Sequence, residues 1–126
     1  MTAASDENTA PNRRPRLLLH VFGSDEASVT TGLQVARNAH HGFGSPSTIV
    51  LVIQGRAVQF VAAAAGLNDD IGTVVTLPGV SVVACGNSLR SVDVEPTNLA
   101  SGVHHVPAAV VFLTQRQLDG WAYIRI

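Results

Sequence analysis

The chain contains no lysine: its eight basic residues are all arginine. That excludes a Schiff-base lysine and the lysine a phosphate-binding P-loop needs. A single cysteine, Cys85, leaves no partner for an intrachain disulfide, no CxxC redox pair and no cysteine-rich zinc site. Charge of either sign is scarce. Asp, Glu, Lys and Arg make up 13% of the residues, about half the share usual in soluble domains. A formal net charge of −1 sets up no field that would gather nucleic acid or anionic lipid. No apolar run is long enough to span a bilayer, and the first sixteen residues lack the apolar core of a signal peptide. The expectation is a cytoplasmic protein with no nucleic-acid or membrane partner and no cofactor.

What is present is apolar. Hydrophobic residues make up 46% of 126, enough for one domain with a real core. So little charge leaves apolar surface for a second copy to cover, so a homo-oligomer is expected. Met1–Arg16 is polar and carries two prolines and three arginines; it reads as a disordered tail. The domain is expected over 17–126.

Along that domain, strand and helix signals alternate. Short, largely apolar runs at 17–22, 48–53, 80–85, 103–106 and 121–126 read as strands. Val29, Leu33 and Ala36 recur at helical spacing, which predicts a helix over 26–40 begun by a Ser24 or Asp25 cap. Val58, Val61, Ala62 and Ala65 mark the buried stripe of a second helix, and 69–77 a short third. A further helix starts near Asn87, and another opens at Pro107 and stops at Gly120. Strands and helices in alternation predict an α/β fold with three α/β/α layers around a five-stranded, mostly parallel sheet. The pattern does not supply strand order.

The stretch Val80–Ser91 carries the chemistry. A buried strand runs into Cys85, then Gly86, Asn87 and Ser88 turn the chain into a helix. Ligands collect at the carboxyl edge of open parallel sheets, and helix-start amides favour a thiolate. Gly86 permits the sharp turn, and Asn87 or Ser88 would cap the helix. The expected site is a crevice at that edge, open to solvent. It gathers Cys85, Asn87 and Ser88 as reacting groups, with Gly23, Ser24, Gln54, Gly55, Arg56 and Gly86 lining it. A buried cysteine acting as a small hydrophobe is the alternative.

Three pieces in register resemble one family. They are Ala84-Cys-Gly-Asn-Ser-Leu89 after Gly79-Val80, then Val103-His-His-Val-Pro-Ala108, then Gln115–Gly120 followed by Trp121-Ala-Tyr-Ile-Arg125. Their order and spacing are similar to the DsrE/DsrF-like (YchN-like) intracellular sulfur-oxidation proteins. The resemblance covers 17–126. It implies a five-stranded α/β/α domain and assembly into trimers or hexamers. It also implies a persulfide held on the cysteine after the third strand, here Cys85, and passed to or from a small partner protein.

Other groupings point elsewhere less well. His40-His41 and His104-His105 suggest a metal, but adjacent strand residues face opposite ways and no further ligand completes a known spacing; no metal is expected. His20, inside an apolar run, reads as a core or interface residue, and Trp121 and Tyr123 as packing on one face of the last strand. Ser24 has no nucleophile-elbow context. A nucleotide or flavin site would rest on fold analogy alone. Two readings stay open: a sulfur carrier acting through Cys85, and a non-enzymatic oligomeric binding module whose Cys85 is unreactive.

Overall fold

The computed structural model describes residues 14–126. Five strands form one sheet: β1 (Arg16–Phe22), β2 (Thr48–Gln54), β3 (Val80–Cys85), β4 (Val103–Val106) and β5 (Ala122–Arg125). All neighbours are parallel, and their order is β4-β3-β2-β1-β5. Four α-helices accompany them: α1 (Glu26–Phe43), α2 (Asn68–Val75), α3 (Gly86–Ser91) and α4 (Ala109–Leu118). The first thirteen residues of the expected tail lie outside the described residues. Pro15 already accepts the Thr48 amide at 2.9 Å and Arg16 pairs with Thr48, so the sheet begins one residue before the expected boundary.

The strand order decides which face each helix covers. From β1 to β4 every crossover steps the same way, and a right-handed connection then lays its helix on the same face. The step from β4 back across the sheet to β5 places α4 on the other face. Two cores result. Leu17, Leu19 and Val21 pack with Ile49, Leu51 and Ile53 against Val29, Leu33 and Ala36 of α1. On the opposite face Leu18, Val50, Val52, Val83 and Cys85 pack under Ala109 and Leu113 of α4 alone. One ten-residue helix covers that second face; Val111 and Leu118 on its outer side, and Val110 on its flank, stay exposed.

Local chemistry sets the boundaries. The Asp25 carboxylate accepts the Ser28 amide at 3.0 Å and caps α1, the role that satisfies an otherwise unpaired helix-start donor. Gly44, at φ 68°, closes α1 with its amide on the His40 carbonyl at 2.8 Å, so the helix runs three residues beyond the expected end. Gly32 lets α1 lie close on the sheet: a Cβ there would come within 2.8 Å of Val21 and 3.2 Å of Leu51.

One element differs in kind. The helix expected around Val58–Ala65 is two 3₁₀ segments, Gly55–Val61 and Ala63–Ala65. Gln54 gives the first no side-chain cap, and Ala62 is extended between the two. That extended residue breaks the stretch into two short pieces, the setting in which 3₁₀ turns are used. Ala57, Val58 and Val61 are still buried. No helix among the described residues is long and apolar enough to cross a membrane.

Candidate functional site

Cys85 ends β3 and is the residue from which α3 starts. Its sulfur faces the α4 side of the sheet and accepts the Ala109 amide at 3.4 Å. Ala109 is the first residue of α4, whose start has no side-chain cap. The sulfur therefore lies between the beginnings of two helices and takes the place of the missing cap on one of them. Burial pushes the Cys85 thiol up. The Ala109 amide, the Ser88 amide and hydroxyl and the Asn87 amide oppose that, and the thiol ends below its ordinary value of 9.0. Amide donors and helix dipoles favour the anionic sulfur over the neutral one.

The sulfur is not open to solvent, which corrects the expectation of an exposed crevice. Cys85 is 2% exposed. Its cover is α4, which folds over it from 24 residues further along the chain. The carboxyl edge does carry a cavity of about 660 Å³, but it lies beyond β3, between Leu89, Arg90, Glu95, His105 and Pro107. Of the expected site residues it takes only Gly86.

The remaining expected residues divide into two groups. Gly23, Gln54, Gly55 and Ser88 meet at the edge. The Gly23 amide donates to the Gln54 carbonyl at 3.2 Å, and the Gly55 amide donates to the Ser88 hydroxyl at 2.8 Å. Ser88 is thus a tie between β2 and α3 rather than a helix cap. Gly55, at φ 81°, is required because a Cβ would meet the Gly23 carbonyl at 2.8 Å. Ser24, Arg56 and Asn87 are exposed and stand away from the sulfur as side chains. The Asn87 side chain accepts from the Arg90 guanidinium instead of capping, and Asp25 rather than Ser24 caps α1.

One group that the sequence pattern did not single out belongs to the neighbourhood: Ala109, which contributes only its backbone amide and so leaves no side-chain signal. His20, on the same sheet face as Leu18, is the satisfied core residue that its place in an apolar run predicts. It is 6% exposed, with Nδ1 2.6 Å from the Tyr123 hydroxyl and Nε2 2.8 Å from Gln54 Oε1. Burial lowers the His20 pKa below 6.5, the Gln54 bond works against that, and the Arg125 charge lowers it further. An imidazole held low in the fold binds its proton later than in the unfolded chain. The stability it favours is complete above the unfolded value near 6.5 and is lost as pH falls through that value toward the folded one. Urea midpoints should therefore fall between pH 7 and 5, and His20→Gln should flatten that slope. An unchanged slope in the variant assigns the acid sensitivity elsewhere.

Comparison with known proteins places this geometry. A scan against family models and a search of curated proteins found no match. Solved structures do match. The protein of unknown function MTH1491 from Methanobacterium thermoautotrophicum is similar at 28% identity over 89% of this chain and 99% of its own, with a TM-score of 0.80. The ychN protein from E. coli is similar at 14% identity over 90% and 100%, with a TM-score of 0.71. The chain has the YchN-like fold. The conserved protein of unknown function BT1422 from Bacteroides thetaiotaomicron shares the fold at 18% identity over 88% and 94%, with a TM-score of 0.66. Each YchN-like structure is matched over nearly its whole length, so the five strands and both helical layers constitute the shared unit.

Proposed function

We propose that this YchN-like chain carries sulfur as a persulfide on Cys85. The Cys85 thiolate attacks the outer sulfur of a donor persulfide, R–S–SH. The donor's S–S bond breaks, R–S⁻ leaves, and Cys85–S–SH forms without net oxidation or reduction. Transfer to an acceptor thiolate reverses the step. The Ala109 amide on Sγ, backed by the start of α3, is the observation that supports this reading: it steadies negative charge on a sulfur that burial alone would keep neutral. Access requires the first turn of α4 to lift from the sulfur, which breaks that long N–H···S contact and uncovers the buried Ala109 side chain. The working protein is a cytoplasmic homo-oligomer in this proposal, a trimer or hexamer, with the exposed outer side of α4 as contact surface and a small sulfur donor or acceptor protein as partner.

Incubation with cysteine persulfide followed by intact-mass measurement tests the proposal. A gain of one sulfur, lost in Cys85→Ala, is the expected result. No gain, or an equal gain in the variant, overturns it.

The second reading is a binding module in which Cys85 only caps α4 and fills the core. Its 2% exposure favours this reading. Alkylation rates separate the two. Modification that stays rapid below about pH 7 belongs to a depressed thiol with access; slow modification at every pH, released only by denaturant, belongs to the module.

A further inference from the structure

Away from the cysteine, side chains distant in sequence converge on the α4 face. His20 spends both ring nitrogens on Tyr123 and Gln54. A carboxamide oxygen only accepts, so Nε2 carries the proton, and Nδ1 accepts the Tyr123 hydroxyl proton. His20 is thereby saturated, and its bond fixes the Gln54 amide. The Gln54 NH₂ group has no partner among the described residues. On α4, Gln117 donates its Nε2 to the Leu113 carbonyl at 3.2 Å, and its Oε1 has no partner among the described residues.

These groups line a cavity of about 320 Å³ together with Phe22, Val110 and Leu113. That is the low end of the range for small-ligand pockets, about 300–1,000 Å³. Phe22 and Tyr123 are 52% and 37% exposed, so both rings offer accessible surface. No Asp, Glu, Lys or Arg lines the cavity. Arg125 is engaged with the Phe22 carbonyl at 3.2 Å and lies over the Phe22 ring. Cys85 is not among the lining residues.

The chemistry of the cavity selects its occupant. One carboxamide offers a donor and the other an acceptor, which complements the adjacent acceptor and donor of an amide. Aromatic and aliphatic walls suit a flat body, and a lining without formal charge suits a neutral one. We propose that this cavity binds a small, uncharged, planar compound bearing a carboxamide or lactam group. Gln54 and Gln117 read the polar edge, and Phe22, Val110 and Leu113 hold the ring. The site is independent of sulfur chemistry at Cys85.

The test is an NMR titration of the full chain with benzamide, following the ring resonances of His20 and Tyr123, with benzoate in parallel. Saturable shifts with benzamide, and weaker ones with benzoate, are expected. Gln54→Leu should weaken benzamide about fivefold, the worth of one neutral hydrogen bond of about 1 kcal/mol. Gln117→Leu on the helix surface should do the same without touching the sheet. Unmoved His20 and Tyr123 resonances at millimolar benzamide overturn the assignment. So does equal binding of benzoate, or unchanged affinity in the folded Gln117→Leu protein.

Discussion

Gly79→Ala should cost the protein about 2–5 kcal/mol of unfolding free energy, the sum of a left-handed backbone penalty of roughly 1–2 and an overpacking penalty of roughly 1–3. Gly79 closes the turn into β3 at φ 78°, and a Cβ there would stand 2.1 Å from the Ser47 carbonyl oxygen. Nothing nearby can yield. The obstructing atom is backbone, and the Gly79 carbonyl is itself bound to the Ile49 amide at 2.9 Å. Relief would pull β3 from β2 at the centre of the sheet. Chemical denaturation measures the effect. Gly72→Ala is the control, since nothing lies within 4 Å of a Cβ at that helical glycine; it should stabilise by about 0.5–1 kcal/mol. A Gly79→Ala loss below about 1 kcal/mol would show that the turn relaxes far more freely than that packing allows.

Gly86→Ala should act on both stability and sulfur chemistry. A Cβ at Gly86 would meet the Val106 carbonyl at 2.9 Å and the Pro107 carbonyl at 3.0 Å. Both belong to the turn that leads from β4 into α4, and displacing it withdraws the Ala109 amide from Cys85. The expected cost is about 1–3 kcal/mol. The Cys85 pKa should rise, because the largest of the lowering contributions is the one removed. Thiolate absorbance against pH reads the shift directly. Asn87→Ala is the companion: Asn87 acts on the sulfur through its backbone amide, so that variant should titrate as the parent does. A shift in Asn87→Ala with none in Gly86→Ala would reverse the assignment of these roles.

The sequence made the layers legible and left their arrangement hidden. Strand signals depend on local runs such as Thr48–Ile53, and each found its strand within one residue or so. The segment after Gln54 failed because apolar spacing marks which residues are buried, not whether the turns are α or 3₁₀; Val58 and Val61 are buried as expected in a different helix type. Cys85 shows the same division. Its place at the end of β3 follows from the residues around it. Its burial follows from α4, whose position over the second face depends on strand order. His20 was legible only as a buried polar residue, since its partner Tyr123 is 103 residues away and meets it only because β5 lies beside β1.

That placement of β5 also bears on how the protein is made. β1 emerges first from the ribosome and gains β2 early, yet its other edge waits for residues 122–125. At roughly 5–20 residues per second of synthesis the wait lasts several seconds. Through that interval the nascent chain presents Leu17–Val21, an apolar strand with unpaired amides and carbonyls, the kind of edge that recruits a neighbouring polypeptide. Translation speed through the second half of the message therefore sets how long that edge stays open.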